Sequence, residues 1–493
     1  MSSSQPRLNL DKKLAGQDGY LDLEAMSQGD HDSIFLSISD TSPNSSLRRT
    51  EDHSAIRRLL GYHPRDSVKI RPTSWLDGVR GAAALTVYIF HAMGCWTPLV
   101  PAWSSDPNQN SVLQLPIFRT FFVSGGTAVS LFFALSGYVL THKSLRWIRE
   151  GSSYQVYPAV ASSVFRRGFR LYLPPILVTF CEMVATRFGF APPLNFSFSP
   201  EPSFFGQFLD WLRETNRLVN PVLNARRALQ GFVTHPKYDA VVWTIPLEFY
   251  GSLVCYTSLL TLVRVNSNGL RMGLVAVFSA VCMGVGSWNL FCFSAGMLIA
   301  DFNLSQEEND TPLLPRAPRN GRAWIAVFSG AFYVAGFPTL GVGEAKLKPM
   351  PGFESLRSLI PMKLSMEDHA RFWWSISGVS LLLSISQLPR LKRQFETNLL
   401  QYLGKISFSL YLVHEFCIVL FGLSLQSFLM HLTHLEPHAN TPVYWLVCVV
   451  WFILFTVAVF VVAAQVERWV DVPSVMFARW LEGKCLKLYR RVH

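Results

Sequence analysis

The amino-acid sequence predicts an all-α polytopic membrane protein of about ten transmembrane helices, with cytoplasmic N- and C-termini. Three observations lead there. Of the 493 residues 50% are hydrophobic and only 16% are charged, against roughly 25% charged in soluble domains. The apolar residues fall in blocks of about 18–25, long enough to cross a hydrocarbon core roughly 30 Å thick. Lysine and arginine crowd every second connection between those blocks, as the positive-inside rule requires of a chain that crosses back and forth.

Residues 1–70 are rich in Ser, Asp and Arg, as in "SISDTSPNSSLRRTEDHS". Such a stretch cannot bury enough apolar surface to offset its ordering entropy, so a disordered cytoplasmic tail is expected. Membrane segments follow at about 76–97, 121–142, 171–190, 240–263, 270–286, 288–302, 323–340, 372–388, 400–424 and 443–466, together forming a membrane domain over 71–474. Arg146, Arg149, Arg166, Arg167 and Arg170 fall in the second-to-third connection, and Arg390, Lys392 and Arg393 in the eighth-to-ninth. The connection before the last segment has no Lys or Arg. Residues 475–493 read as a basic amphipathic tail on the inner leaflet.

The net charge of +11 is accounted for by these loops, and no nucleic-acid partner is expected. The eight cysteines show no CxxC spacing and mostly sit in apolar blocks, which argues against a disulfide framework or zinc site. His431, His434 and His438 have i, i+3, i+7 spacing, but Pro437 interrupts the helix they would need. No metal site is expected.

The first segment carries the chemistry. Arg80 and His91 are eleven positions apart, nearly three helical turns, so they share one face about 16 Å apart along the axis. Asp77 stands three residues before Arg80 and can pair with it. Ionisable groups inside a membrane are costly and point to function by default. An imidazole near mid-membrane can take a proton close to neutral pH.

"LDGVRGAAALTVYIFH" resembles the opening motif of the acyltransferase-3 family of integral-membrane acyltransferases, in which an arginine and a histidine ten residues apart mark the first helix. "SLFFALSGYVLT" is similar to the family's second-helix Ser-Gly signature, and "FRRGFRLYLPP" to its Arg-Arg-x-x-Arg motif. "VVWTIPLEFYGSL" resembles its Trp-Ser/Thr-x-x-x-Glu segment, and "LGKISFSLYLVHE" its Ser-x-x-x-Tyr-Leu-x-His segment. The five stretches occur in family order over about residues 73–475, with a fungal-type character.

The resemblance implies a multi-pass enzyme of an endomembrane or the plasma membrane. It would transfer an acyl group, acetyl above all, from acyl-CoA as co-substrate to a hydroxyl-bearing acceptor, with no bound cofactor. It implies His91 as the catalytic residue, either as base toward the hydroxyl or as a transient acyl carrier. Arg80 would stabilise the thioester oxygen or bind a CoA phosphate. Arg166, Arg167 and Arg170 would bind acyl-CoA. Ser136, Trp243, Glu248, Tyr411 and His414 are supporting candidates. A transporter of a small metabolite is the alternative that ten spans with buried charges would also suit, but it leaves the motif series unexplained.

Overall fold

The computed structural model describes residues 59–61, 71–97, 101–105, 110–190, 199–234, 236–309, 321–340, 348–436 and 441–492. Apart from 59–61, the expected tail over 1–70 lies outside them, as do Pro437 and His438. The described residues are α-helical with short 3-10 and π turns, and hold no strand.

In chain order the main helices are α1 (Ser74–Gly94), α2 (Pro116–Val123), α3 (Gly125–Arg149), α4 (Val156–Arg187), α5 (Phe204–Val219), α6 (Pro221–Leu229), α7 (Thr244–Leu262), α8 (Asn268–Gly284), α9 (Trp288–Asn309) and α10 (Gly321–Ala335). They continue as α11 (Glu354–Ser358), α12 (Ala370–Gln387), α13 (Pro389–Phe395), α14 (Asn398–Cys417), α15 (Leu423–Leu432), α16 (Pro442–Val466) and α17 (Val472–Val492). Single π turns join α14 to α15 and α16 to α17.

The expectation of ten spans is overturned. Among the described residues four helical stretches are long and apolar enough to cross a membrane: Ser153–Arg187, Val241–Leu262, Asn398–Leu432 and Pro442–Leu488. A fifth arises if α2 and α3, bent by 61° at their junction, count as one. The cytoplasmic placement of both termini rested on the ten-span path and falls with it. The other expected segments fail for physical reasons. Helix α8 has 17 residues and α10 has 15. Helix α9 ends in Ser-Gln-Glu-Glu-Asn, and α12 carries five serines. Helix α1 opens with Asp77 and Arg80. A helix packed among other helices need not be apolar all round, so its hydropathy falls below that of a lipid-facing one. Helix α16 shows the contrast: Leu446, Val449, Val450, Ile453, Leu454 and Val457 form an exposed apolar stripe.

Two close approaches organise the bundle. Helices α1 and α14 touch through Gly81 and Gly404, where an added Cβ on either would collide with the other helix's backbone. Helices α3 and α9 meet through Gly137 and Gly296 in the same way. Near the end of α9, Asp301 accepts from Arg149 at 2.6 Å and from Arg271 at 2.8 and 2.9 Å, tying α3, α8 and α9 together.

A methyl group on Gly137 would overlap the Phe293 carbonyl. Gly137→Ala should therefore lose about 1–3 kcal/mol, read as a lowered thermal unfolding midpoint in detergent micelles. Gly273, in the middle of α8 with nothing within 4 Å of its added Cβ, should tolerate alanine with a change of no more than about 1 kcal/mol.

Candidate active site

The Gly81–Gly404 approach lets Arg80 reach across to α14. Its Nη2 donates to the Gly404 carbonyl at 2.9 Å and its Nε to Ser407 Oγ at 3.0 Å. Asp77 pairs with the same guanidinium at 2.9 Å. Asp471, between α16 and α17, lies within electrostatic reach of both Arg80 and Arg170. Arg166 pairs with Glu482 of α17 at 3.3 Å. This end of the bundle thus gathers Arg80, Arg166 and Arg170.

Three turns along α1, His91 stands at the other end of the same contact. Its Nδ1 lies 2.7 Å from Glu415 Oε1. The His91 side chain is 24% exposed and that of Glu415 5%, so the imidazole is reachable while its carboxylate is enclosed. The His414 ring lies 5.0 Å from that of His91. Its Nδ1 faces the Leu410 carbonyl at 3.1 Å, and its buried Nε2 has no hydrogen-bond partner among the described residues. Tyr411 donates to the Val241 carbonyl at 2.8 Å and lies 3.0 Å from Thr244 Oγ1, which holds α14 against the start of α7.

Two more buried carboxylates face this end. Glu182 of α4 and Asp239, just before α7, both interact with Glu415 electrostatically. Glu182 Oε2 and Asp239 Oδ2 accept no hydrogen bond among the described residues. The Asp239 carboxyl is pushed well up from its ordinary value, first by burial and then by the Glu415 charge, although its Oδ1 accepts from Val241 N–H at 2.9 Å.

His91, His414 and Glu415 also have metal-ligand spacing, with donor atoms within 4.8 Å of one another. The 2.7 Å separation of His91 and Glu415 is shorter than the roughly 3.3 Å between two donors on one tetrahedral zinc. It is an ion-pair separation, too close for two ligands of one such ion.

Glu248, Ser136 and Arg167 form a separate cluster. Glu248 is engaged by Arg167 Nη2 and accepts from Ser136 Oγ at 2.7 Å, while Arg167 Nε donates to Ser252 Oγ at 2.8 Å. Arg167 is thereby buried on a carboxylate, unlike its neighbours Arg166 and Arg170. Trp243 packs against the Trp288 ring and beneath the Arg371 guanidinium.

The family model for an acyltransferase domain matches residues 73–461. The chain belongs to the acyltransferase-3 family. It is 30% identical over 474 residues to the O-acetyltransferase PaAT-1 of Phomopsis amygdali, covering 91% of each chain. It is 26% identical to the acyltransferase clz18 of Cochliobolus lunatus, over 81% of this chain and 94% of that one. It is 26% identical to the acyltransferase R4 of a Phoma species, over 85% and 96%. No solved structure matches. The protein is a membrane-associated, acyl-CoA-dependent O-acyltransferase acting on a hydroxyl-bearing acceptor, and the transporter alternative is set aside.

Within this acyltransferase the geometry adds Glu415, Glu182, Asp239 and Arg371 to the residues singled out from sequence. Glu415 adjoins His414 inside a quoted motif, and Glu182 interrupts the apolar run "FCEMVA". A carboxylate in an apolar helix was the signal for both. Asp239 and Arg371 sit at helix starts, where charged residues are unremarkable. Removing one partner of a buried ion pair strands the other, at about 3–5 kcal/mol. Arg167→Met alone should lose that much in chemical unfolding, and Arg167→Met with Glu248→Gln should regain a substantial part of it.

Proposed function

We propose that His91 is the general base of acyl transfer and that Glu415 orients it. The observation that carries this reading is the 2.7 Å contact between His91 Nδ1 and the enclosed Glu415 carboxylate. A carboxylate at Nδ1 holds the proton there and leaves Nε2 with its lone pair. Nε2 takes the proton of the acceptor hydroxyl as its oxygen attacks the thioester carbonyl carbon. The tetrahedral intermediate collapses by breaking the carbon–sulfur bond. His91 then returns the proton to the departing CoA sulfur, giving an ester and free CoA. Glu415 stabilises the imidazolium that exists between the two transfers.

The cations at the opposite end are assigned to CoA. Arg80 sits about three turns, roughly 16 Å, from His91. That separation suits a phosphate contact better than one to the thioester oxygen. Arg166 and Arg170 share a helix face and an acidic neighbourhood with Arg80, and guanidinium forks match phosphate oxygens. Arg167 keeps Glu248 neutralised and holds α4 to α7. Tyr411 and His414 line the acceptor side and Trp243 braces it, while Ser136 supports the Glu248–Arg167 pair. The similarity to an O-acetyltransferase of Phomopsis amygdali supports acetyl as the acyl group. The membrane transferase domain is taken as 71–474.

CoA release by the purified protein tests the assignment. His91→Ala should lower kcat by about 10²–10⁴-fold while acyl-CoA still binds, and Glu415→Gln should lower it by about 10²-fold or more through loss of the tautomer. Turnover by His91→Ala at the wild-type rate would overturn the reading. Arg166→Ala with Arg170→Ala should raise KM for acyl-CoA about tenfold or more and leave kcat within a few-fold, as expected for lost ground-state binding.

A further inference from the structure

Arg371, in the first turn of α12, is a cation that the acyl-transfer steps do not use. Its guanidinium lies over two adjoining indoles, 5.0 Å from the Trp243 ring centre and 4.5 Å from that of Trp288. Its side chain makes no hydrogen bond or ion pair among the described residues, and its Nε is buried without an acceptor. Two carboxylates, Asp368 and then Glu367, act on its charge without forming an ion pair with it among the described residues, and each is hydrogen-bonded elsewhere. Glu367 accepts from Val233 N–H at 3.1 Å, while Asp368 accepts from the Thr339 hydroxyl and from Ala370 N–H at 2.9 Å. Arg119 shows what a structural buried arginine looks like in this protein: its Nε donates to the Gly336 carbonyl at 2.6 Å and its Nη1 to the Pro101 carbonyl at 2.8 Å. Two aromatic faces offset only part of the cost of desolvating a guanidinium. Asp368 and Glu367 offset more of it from outside hydrogen-bonding range, and the buried Nε still faces no acceptor among the described residues.

Two routes of contact connect this cation with His91. Trp243 precedes Thr244, whose hydroxyl meets Tyr411, and Tyr411 leads through His414 to His91. Phe90, next to His91, covers Gly125 at the start of α3, and the following Gly126 packs on Trp374, one turn from Arg371. Arg371 therefore belongs to the His91 end of the bundle, away from Arg80, Arg166 and Arg170.

Resting on the proposed function, in which the CoA phosphates occupy the Arg80 end, we propose that Arg371 is an anion subsite for a carboxylate carried by the acceptor. The acceptor is then a hydroxy acid. The planar fork of Arg371 takes both carboxylate oxygens, Trp243 and Trp288 hold the fork flat, and the acceptor's hydroxyl is left to point toward His91.

Sodium hexanoate and 1-hexanol, titrated into the full-length protein in detergent micelles, separate the carboxylate from its apolar tail. Wild type should bind hexanoate at least tenfold more tightly than hexanol. Arg371→Gln should abolish that preference and leave hexanol binding unchanged, and Arg371→Lys should fall between. Hexanoate should also protect Arg371 from phenylglyoxal in the wild-type protein, read by peptide mass spectrometry, while hexanol should not; this readout does not depend on the variants folding. Equal binding of the two probes, or absent protection, overturns the proposal. His91→Ala should bind hexanoate like wild type while releasing CoA about 10²–10⁴-fold more slowly. CoA release by that variant at the wild-type rate would sink the assignment of the base and leave the hexanoate comparison standing on its own.

Discussion

The close, parallel contact of α1 with α14 is the constraint on which the rest of the site depends. Gly81 and Gly404 remove the side chains that would hold the two helices apart. Arg80 then reaches the Gly404 carbonyl, and His91 reaches Glu415. The step from 80 to 91 on one helix equals the step from 404 to 415 on the other. Eleven residues are close to three whole turns, so two parallel helices that touch once touch again three turns later with the same faces turned inward. The contact of His91 with Glu415 is in this sense the second rung of a ladder whose first rung is the Arg80 clamp.

Charge pairing divides the bundle into two halves of different character. Around Arg80, Asp301 and Glu248, each buried ion has an opposite partner at hydrogen-bonding range. Such pairs recover most of the desolvation they incur, and removing either member is what costs stability. Around His91 the pairing is incomplete: Glu182 and Asp239 each keep an oxygen without a donor, and His414 a nitrogen without a partner, among the described residues. A low-dielectric interior makes such groups expensive, and the expense falls around His91, the proposed base.

The helical character, the shared face of Arg80 and His91, and the pairing of Asp77 with Arg80 were legible in the sequence, because each depends on local periodicity. The number of spans was not. Hydropathy blocks mark where a chain is apolar, and α8, α9, α10 and α12 are apolar enough to look like spans yet too short or too polar to qualify. The partner of His91 was hidden for a different reason: Glu415 stands out as a carboxylate in an apolar block, but it lies 324 positions away and only the fold brings the two together. Arg166, Arg167 and Arg170 looked alike as a basic triplet, and only the folded packing turns Arg167 inward onto Glu248 while its neighbours face Glu482 and Asp471. Trp243 was legible as part of a motif, but the cation above it comes from a helix that shares no motif.

The long separation between α1 and α14 also sets an order of events in biosynthesis. His91 emerges early, within the first fifth of the sequence, and its carboxylate partner is added only when more than three quarters of the chain has been synthesised. Closing so large a loop comes late, because its entropy must be met before the contact rewards it. During synthesis the histidine is present without the acid proposed to orient it. The contact between His91 and Glu415 thus forms only once the early and late helices have found one another.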